Sequence, residues 1–266
     1  MPDLNTITPP QLMRLIGTPD LPVIIDVRIP DDIAAAPRLV PTSVLCSHKD
    51  VADLPDRLDG RPSVVLCHGG LKLSHGTAAY LRDTGLKSEV LAGGMLAWAD
   101  AGLPTVPLDA IPPGNLWVTR QRPKIDRIAC PWLIRRFVDP TARFLFVPSD
   151  EVLNIADRFD ATPFDVADVQ FTHRGKGCTF DAMITDFGLA HDALERLADV
   201  VRAADTDRHA DSPQAAGLLA LSVGLSRSYK DDNAQLDAAM PLYDALYRWA
   251  RDGFTEGHET PLGTSS

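Results

Sequence analysis

The chain has 266 residues, 45% of them hydrophobic and 23% charged, which is enough for one large apolar core or two ordinary ones. Its 26 basic residues against 36 acidic ones give a net charge of −10, which argues against a general affinity for nucleic acid or anionic lipid. No apolar run approaches the roughly 18 residues of a membrane span, and Met1-Pro-Asp-Leu-Asn5 lacks the basic and apolar segments of a signal peptide, so a cytoplasmic protein with no membrane partner is expected.

Thr8-Pro-Pro-Gln-Leu-Met-Arg-Leu-Ile16 reads as a first helix, with Thr8 as N-cap and Pro9 in the first helical position. Val23–Val27, Ser43–Cys46, Ser63–Cys67 and Glu89–Leu91 are short apolar runs bounded by turn residues and separated by segments long enough for crossovers. Strands alternating with helices predict a parallel sheet covered on both faces, with ligands beyond the carboxyl ends of the strands, where Asp26 and Cys67 fall. Cys46 reads as a core residue.

Cys67 is different. The run Ser63-Val-Val-Leu-Cys67 enters Cys67-His-Gly-Gly-Leu-Lys72, and a helical pattern, Ser74–Arg82, follows. A strand that delivers a cysteine into a glycine-rich loop at a helix N-terminus surrounds the sulfur with N–H groups and favours the thiolate, and Lys72 adds a cation. Leu91-Ala-Gly-Gly-Met-Leu-Ala-Trp-Ala-Asp-Ala-Gly-Leu-Pro104 then reads as a strand end, a Gly-Gly turn, a short helix carrying Trp98, and a stop.

The cysteine loop, the Gly-Gly-x-x-x-Trp-x-x-x-Gly-x-Pro segment and the strand end Ile24-Ile-Asp-Val-Arg28 together resemble the rhodanese family of sulfurtransferases over roughly residues 5–107. The resemblance implies an α/β domain in which Cys67 carries sulfane sulfur as a persulfide, with Lys72 and Asp26 assisting. His68, Gly69, Gly70, Leu71 and Arg28 would contact the substrate. A small sulfur donor such as thiosulfate and a thiol acceptor are implied, with no cofactor. Related phosphatase and arsenate-reductase loops are one residue longer and close on Arg, whereas this one closes on Lys72.

Pro104-Thr-Val-Pro-Leu-Asp-Ala-Ile-Pro-Pro-Gly114 is rich in proline and reads as a stiff linker. The domain boundary is placed there, with a first domain at 1–109, a linker at 110–114 and a second, mainly helical α+β domain at 115–253. The tail 254–266 is expected to be disordered. In the second half Leu116–Thr119 reads as a strand, and Ile125, Ile128, Ala129, Trp132, Leu133 and Phe137 recur at helical spacing. Pro131 needs a place in the first turn of that helix or marks a kink. Asp126 falls on or near its apolar face, where a carboxylate is costly unless paired.

Ala142–Val147 reads as a strand and Ser149–Phe159 as a helix. Val169–Ile184 reads as strand, turn, then strand or helix, presenting His173, Cys178 and Asp181 close together. His191–Ala204, Pro213–Ser226 and Asp232–Arg251 follow as helical patterns, with a polar loop at 204–212.

Trp117-Val-Thr-Arg, Ile125-Asp-Arg-Ile-Ala129, Trp132-Leu-Ile-Arg-Arg-Phe-Val-Asp139 and the Phe171-Thr-His to Cys178-Thr-Phe180 segment resemble the C-terminal domain of the chromate-resistance family. That likeness implies a fold and a context of chromate resistance, without a reaction, and leaves a non-catalytic chromate or metal sensing or accessory protein acting through this half as the alternative to sulfur transfer. From the residues themselves, Asp126, His173, Asp181 and Asp205 suit a divalent ion such as iron, manganese or zinc. The competing reading pairs Asp126 with an arginine from Arg120, Arg122 or Arg136, buries His173 as a satisfied core residue, and leaves Asp205 as a helix cap. Arg120, Arg122, Lys124, Arg127, Arg135 and Arg136 concentrate positive charge. They read either as a solvated helix face that pairs with Asp/Glu elsewhere or as a site for an oxyanion such as chromate. Cys130 and Cys178 read as buried packing or as a thiol pair facing an oxidising oxyanion.

Overall fold

A computed structural model describes residues 5–257. Thr8 caps the first helix as expected, its backbone N–H donating to Gln11 Oε1 at 2.9 Å in a reciprocal capping box. The first region runs β1 (Thr6–Ile7), α1 (Pro9–Leu15), β2 (Val23–Asp26), α2 (Pro30–Ala35), β3 (Arg38–Leu39), β4 (Val44–Leu45), α3 (Leu54–Leu58), β5 (Ser63–Leu66), α4 (Lys72–Asp83), β6 (Ser88–Leu91), α5 (Gly94–Asp100) and β7 (Val106–Pro107). β1, β6, β5, β2 and β4, in that order, form a five-stranded sheet, parallel throughout, with Ile25 opposite both Val65 and Val44. Every residue of β5 is buried, which is why this strand reads as an unbroken apolar run and carries Cys67 out of the centre of the sheet.

The second region runs β8 (Leu116–Arg120), α6 (Asp126–Leu133), β9 (Arg143–Val147), α7 (Val152–Phe159), β10 (Thr162–Pro163), α8 (Thr179–Asp186), α9 (Asp192–Asp205), α10 (Ala215–Ser228) and α11 (Asp232–Arg248). β10, β8 and β9 form a small parallel sheet, and the rest is mainly helical. The expected α/β region followed by a mainly helical α+β region is therefore what the chain adopts. Among the described residues no helix is long and apolar enough to cross a membrane.

Several local expectations differ. Pro131 sits inside α6 rather than in its first turn, and the helix passes into a π-helical turn over Ile134–Val138. The strand expected over 169–172 is reduced to an isolated bridge between Phe164 and Phe171. Asp165 and Asp168, at φ of 54° and 61°, turn the chain too sharply there for extended pairing.

The proline-rich segment after Pro104 lies against the first region. β7 pairs antiparallel with β3, and the Trp98 indole donates to the Pro104 carbonyl at 2.9 Å. The tail expected to be disordered is described only to Gly257, and residues 258–266 lie outside the described part.

One apolar cluster joins Leu12, Ile16 and Trp98 to Trp132, Phe137 and Tyr247 across the two regions. Gly17, at φ 81°, packs against it, and an added Cβ there would lie 2.5 Å from Tyr247 Cε1 and 2.7 Å from Phe137 Cζ. Gly17→Ala therefore combines backbone strain with overpacking. It is expected to destabilise the protein by about 1–3 kcal/mol, measured by denaturant unfolding.

His191 lies beside the same rings, with centroids 6.2 Å from Phe137 and 6.1 Å from Tyr247, and its buried Nε2 has no partner among the described residues. Burial pushes its pKa down from 6.5 to about 4, with Arg251 helping and Asp192 opposing. The native state thus binds this proton less tightly than the unfolded chain. The stabilisation is complete above about 6.5 and is lost as pH falls towards 4. His191→Phe should flatten that limb in thermal melts run across the same pH range.

Candidate functional sites

Cys67 follows directly on β5 and is 5% exposed. Its Sγ accepts the Leu71 N–H at 3.3 Å and lies 3.2 Å from Ser74 Oγ, which in turn donates to the Leu71 carbonyl at 3.1 Å. The sequence pattern places the loop glycines but not Ser74, a residue of the first turn of α4 that faces back onto the sulfur. Among the expected N–H groups, that of Leu71 is the one that reaches it.

The loop carbonyls are held from the other side, because Met95 and Leu96 in the first turn of α5 donate to Cys67 O and His68 O, both at 3.0 Å. That close seating explains Gly70 and Gly94. A Cβ on Gly70, at φ 66°, would lie 2.6 Å from Gly94 N, and one on Gly94 would strike Cys67 O. Gly69 and His68 are half-buried, with His68 Nδ1 unpartnered among the described residues, while Leu71 and Lys72 are exposed at the start of α4.

Asp26 and Arg28 engage each other instead of the loop. They form an ion pair at 2.7 Å with both side chains fully buried. The remaining Arg28 donors reach Ala36 O at 3.0 Å and Arg38 O at 2.8 Å. This guanidinium ties the chain after α2 to the end of β2.

In the second region Asp126 opens α6, immediately after Ile125, whose φ of 34° is unusual for a β-branched residue. Ser222 Oγ accepts the Ile125 N–H at 3.1 Å and Tyr243 Oη donates to its carbonyl at 2.9 Å, which holds that strained turn in place. The turn sends the 1%-exposed Asp126 carboxylate to the N-terminus of α8, where it accepts Thr179 N–H at 2.7 Å and Phe180 N–H at 2.9 Å.

His173 Nε2 lies 3.4 Å from Asp126, 3.4 Å from Asp205 at the end of α9, and 3.3 Å from Asp165. Asp126, His173 and Asp205 each offer a ligand atom within 4.8 Å of the others, a grouping able to hold a metal ion. Hydrogen bonding to Asp126, reinforced by the charges of Asp126, Asp165 and Asp205 and opposed by burial, raises His173 to about 9. Burial first, then repulsion from Asp126 and Asp165, raises Asp205 to about 6.

Two expectations are revised here. Asp181 stands outside the cluster, since it accepts Cys178 N–H at 2.8 Å as the capping residue of α8 and pairs with Arg202 at 2.8 Å. Asp165, which the sequence reading did not single out, takes its place beside His173. Its other oxygen is held by Arg120 at 2.8 Å and Arg127 at 3.3 Å. The cationic run follows its reading as a helix face that pairs with acidic groups elsewhere. Arg122 binds the Ser226 and Tyr229 carbonyls, Arg135 pairs with Asp237 and Arg136 with Asp244. Asp126 pairs with none of these arginines.

Cys130 Sγ donates to Asp126 at 3.5 Å, and burial drives both the Cys130 and Cys178 thiols well above their ordinary range, leaving them neutral packing groups. All four cysteines are free and buried.

The molecule thus joins a parallel α/β region presenting a cysteine loop to a mainly helical region presenting a carboxylate–imidazole cluster. Residues 117–250 match the family described as ChrB, C-terminal domain, and the chain belongs to that family. It is 37% identical over 135 residues to Protein ChrB of Cupriavidus metallidurans, a match covering 50% of this chain and 40% of that protein. The chain therefore spans less than half the length of this curated relative.

The first region is similar to a rhodanese-related protein from Thermoplasma volcanium, with 21% identity, a TM-score of 0.34, and coverage of 38% of this chain and 97% of that one. It is also similar to a thiosulfate sulfurtransferase from Pseudomonas aeruginosa, with 27% identity, a TM-score of 0.33, and coverage of 39% and 19%.

Proposed function

We propose that the chain is a sulfurtransferase that works through a Cys67 persulfide in the setting of chromate resistance. The observation that carries this reading is the Cys67 sulfur at the end of a central parallel strand, met by the Leu71 N–H and the Ser74 hydroxyl. The Cys67 thiolate attacks the outer sulfur of thiosulfate, the S–S bond breaks and sulfite leaves. An acceptor thiolate or cyanide then attacks the sulfur carried on Cys67 and the cysteine thiolate is restored. With its one proton turned from the Leu71 carbonyl to the sulfur, the Ser74 hydroxyl joins the Leu71 N–H in stabilising the anionic sulfur in both states. Lys72, exposed at the loop end, attracts the anionic donor.

No cofactor enters this cycle. The reading divides the chain into 1–109 and 115–253 with 110–114 between them, and places it in the cytoplasm, where four free cysteines stay reduced. Treatment with thiosulfate should add one sulfur to Cys67 by mass spectrometry, and subsequent cyanide should remove it as thiocyanate. An unmodified Cys67 would remove the basis of the proposal.

The cluster in the second region supports a second role. Asp126, His173 and Asp205 would hold a divalent ion, with iron, manganese or zinc suited to one imidazole and two carboxylates. Such an ion would supply Lewis acidity there when bound. Elemental analysis of the purified full chain tests it, and one equivalent of metal lost in a His173→Ala variant is the expected result.

A further inference from the structure

We infer that Asp165 is the fourth protein ligand of the ion, joining Asp126, His173 and Asp205 through its Oδ1. The inference rests on reading those three residues as a metal site and extends that reading by one ligand.

The first observation is convergence on the imidazole. His173 Nε2 lies 3.4 Å from Asp126 Oδ2, 3.4 Å from Asp205 Oδ2 and 3.3 Å from Asp165 Oδ1. A single ring N–H donates to one acceptor at a time, so hydrogen bonding accounts for one of three equal approaches. Around a tetrahedral ion with metal–ligand distances of about 2.0–2.1 Å, neighbouring ligand atoms stand about 3.3–3.4 Å apart. Asp165 meets that spacing from His173 as well as the other two carboxylates do. It stands outside the trio whose ligand atoms all lie within 4.8 Å of one another, as repulsion between like charges favours, and a divalent cation reverses that repulsion.

The second observation is an available lone pair. Asp165 Oδ1 accepts one hydrogen bond, from Thr179 Oγ1 at 3.0 Å, while Oδ2 takes the ion pairs with Arg120 at 2.8 Å and Arg127 at 3.3 Å. Asp126 is engaged in the same way, by amide N–H groups at 2.7 and 2.9 Å on its two oxygens. A carboxylate oxygen has two lone pairs, so both residues can accept these bonds and still bind a cation. Charge is also met. A divalent ion with three carboxylates would leave one negative charge where Asp126 and Asp165 are almost fully buried, and the two guanidiniums on Asp165 offset it.

The third observation is the backbone. Asp165 turns at φ 54°, its N–H donates to the Phe171 carbonyl at 2.9 Å, and Thr119 Oγ1 donates to the Phe164 carbonyl at 2.8 Å. These bonds hold an uncommon conformation that sets Asp165 beside the chain two residues before His173. An ion bound by both residues ties this irregular segment to α6 and α9, which supply Asp126 and Asp205.

Cobalt(II) is the probe, because its absorption reports on the identity of its ligands. In the full chain, Asp165→Asn should weaken cobalt binding about 100-fold or more, beyond what loss of an outer-shell partner costs. Arg120→Gln, which removes a partner of Asp165 and leaves the carboxylate, should cost about tenfold at most. The deciding readout is Asp165→Cys, which should give the cobalt-loaded protein a near-ultraviolet thiolate-to-cobalt charge-transfer band that cobalt-loaded wild type lacks.

Cobalt binding in Asp165→Asn as tight as in wild type overturns the inference and leaves the metal reading standing. So does a folded, cobalt-binding Asp165→Cys variant without the band. Should the cysteine variant fail to fold or to bind cobalt, a crystal structure of the zinc-loaded wild type decides. Asp165 Oδ1 at about 2.0–2.2 Å from the ion is expected, and a water in its place overturns the inference. If wild type binds neither cobalt nor zinc, the metal reading falls and takes this inference with it.

Discussion

A Cys67→Ser variant should lose sulfur transfer from thiosulfate to cyanide by about 10³-fold or more, because serine cannot hold a sulfane sulfur and the first S–S cleavage has no nucleophile. The change is nearly isosteric, so folding should be unaffected and circular dichroism should superimpose on wild type. Ser74→Ala probes the same site more gently. It removes one hydrogen bond to the sulfur, at 3.2 Å, and should lower turnover about tenfold while the persulfide still forms on Cys67. Full activity in Cys67→Ser would mean that the measured transfer occurs elsewhere. Loss of activity in Ser74→Ala together with loss of the persulfide would mean that the hydroxyl is needed to form the loop rather than to stabilise the anion.

The parts of this site that could be read in the sequence are those fixed by local rules. A buried strand, a glycine loop and a helix start are adjacent in the chain, so Cys67, Gly70 and Lys72 could be placed from spacing alone. The second Gly-Gly pair could be recognised too, although its reason is the contact between Gly70 and Gly94. Ser74 was not legible, since any polar residue in a first helical turn reads as exposed until the loop folds over it.

The second region shows the same division. Asp126 could be noticed because a carboxylate on an apolar face demands a partner, and the structure supplies two amide N–H groups and His173. Asp165 gave no signal. It enters the cluster only because a positive-φ turn, isolated from any periodic pattern, aims it there. Asp181 was misplaced for the converse reason. Its nearness to His173 and Cys178 in sequence suggested shared ligation, but the helix that begins at Thr179 uses it as a cap. The arginine run left two readings open because sequence cannot show that α11 and the end of α10 bring partners to it from about a hundred residues away.

His173→Ala should abolish metal binding and with it the metal-dependent part of stability. An ion that binds only the folded state at about 100 times its dissociation constant adds about 2.7 kcal/mol. Wild type should therefore melt several degrees higher with saturating zinc or manganese than after chelation, and the variant should show no such difference.

The imidazole also contributes without metal. Its folded pKa of about 9 lies above the free value of 6.5, so its interaction with the three carboxylates is fully present below about 6.5 and is lost as pH rises through about 9. Chelated wild type should consequently exceed His173→Ala in stability at neutral pH and approach it above pH 9.

Near neutral pH an incoming ion must displace that proton, so metal uptake should release about one proton and weaken as pH falls. Calorimetry in buffers of different ionisation enthalpy measures that release. Should the purified and reconstituted protein hold less than about a tenth of an equivalent of any transition metal, with a chelator leaving its melting unchanged, Asp126, Asp165, Asp205 and His173 would be an ion-pair network that closes the N-terminus of α8, and the second region would owe its function to another surface.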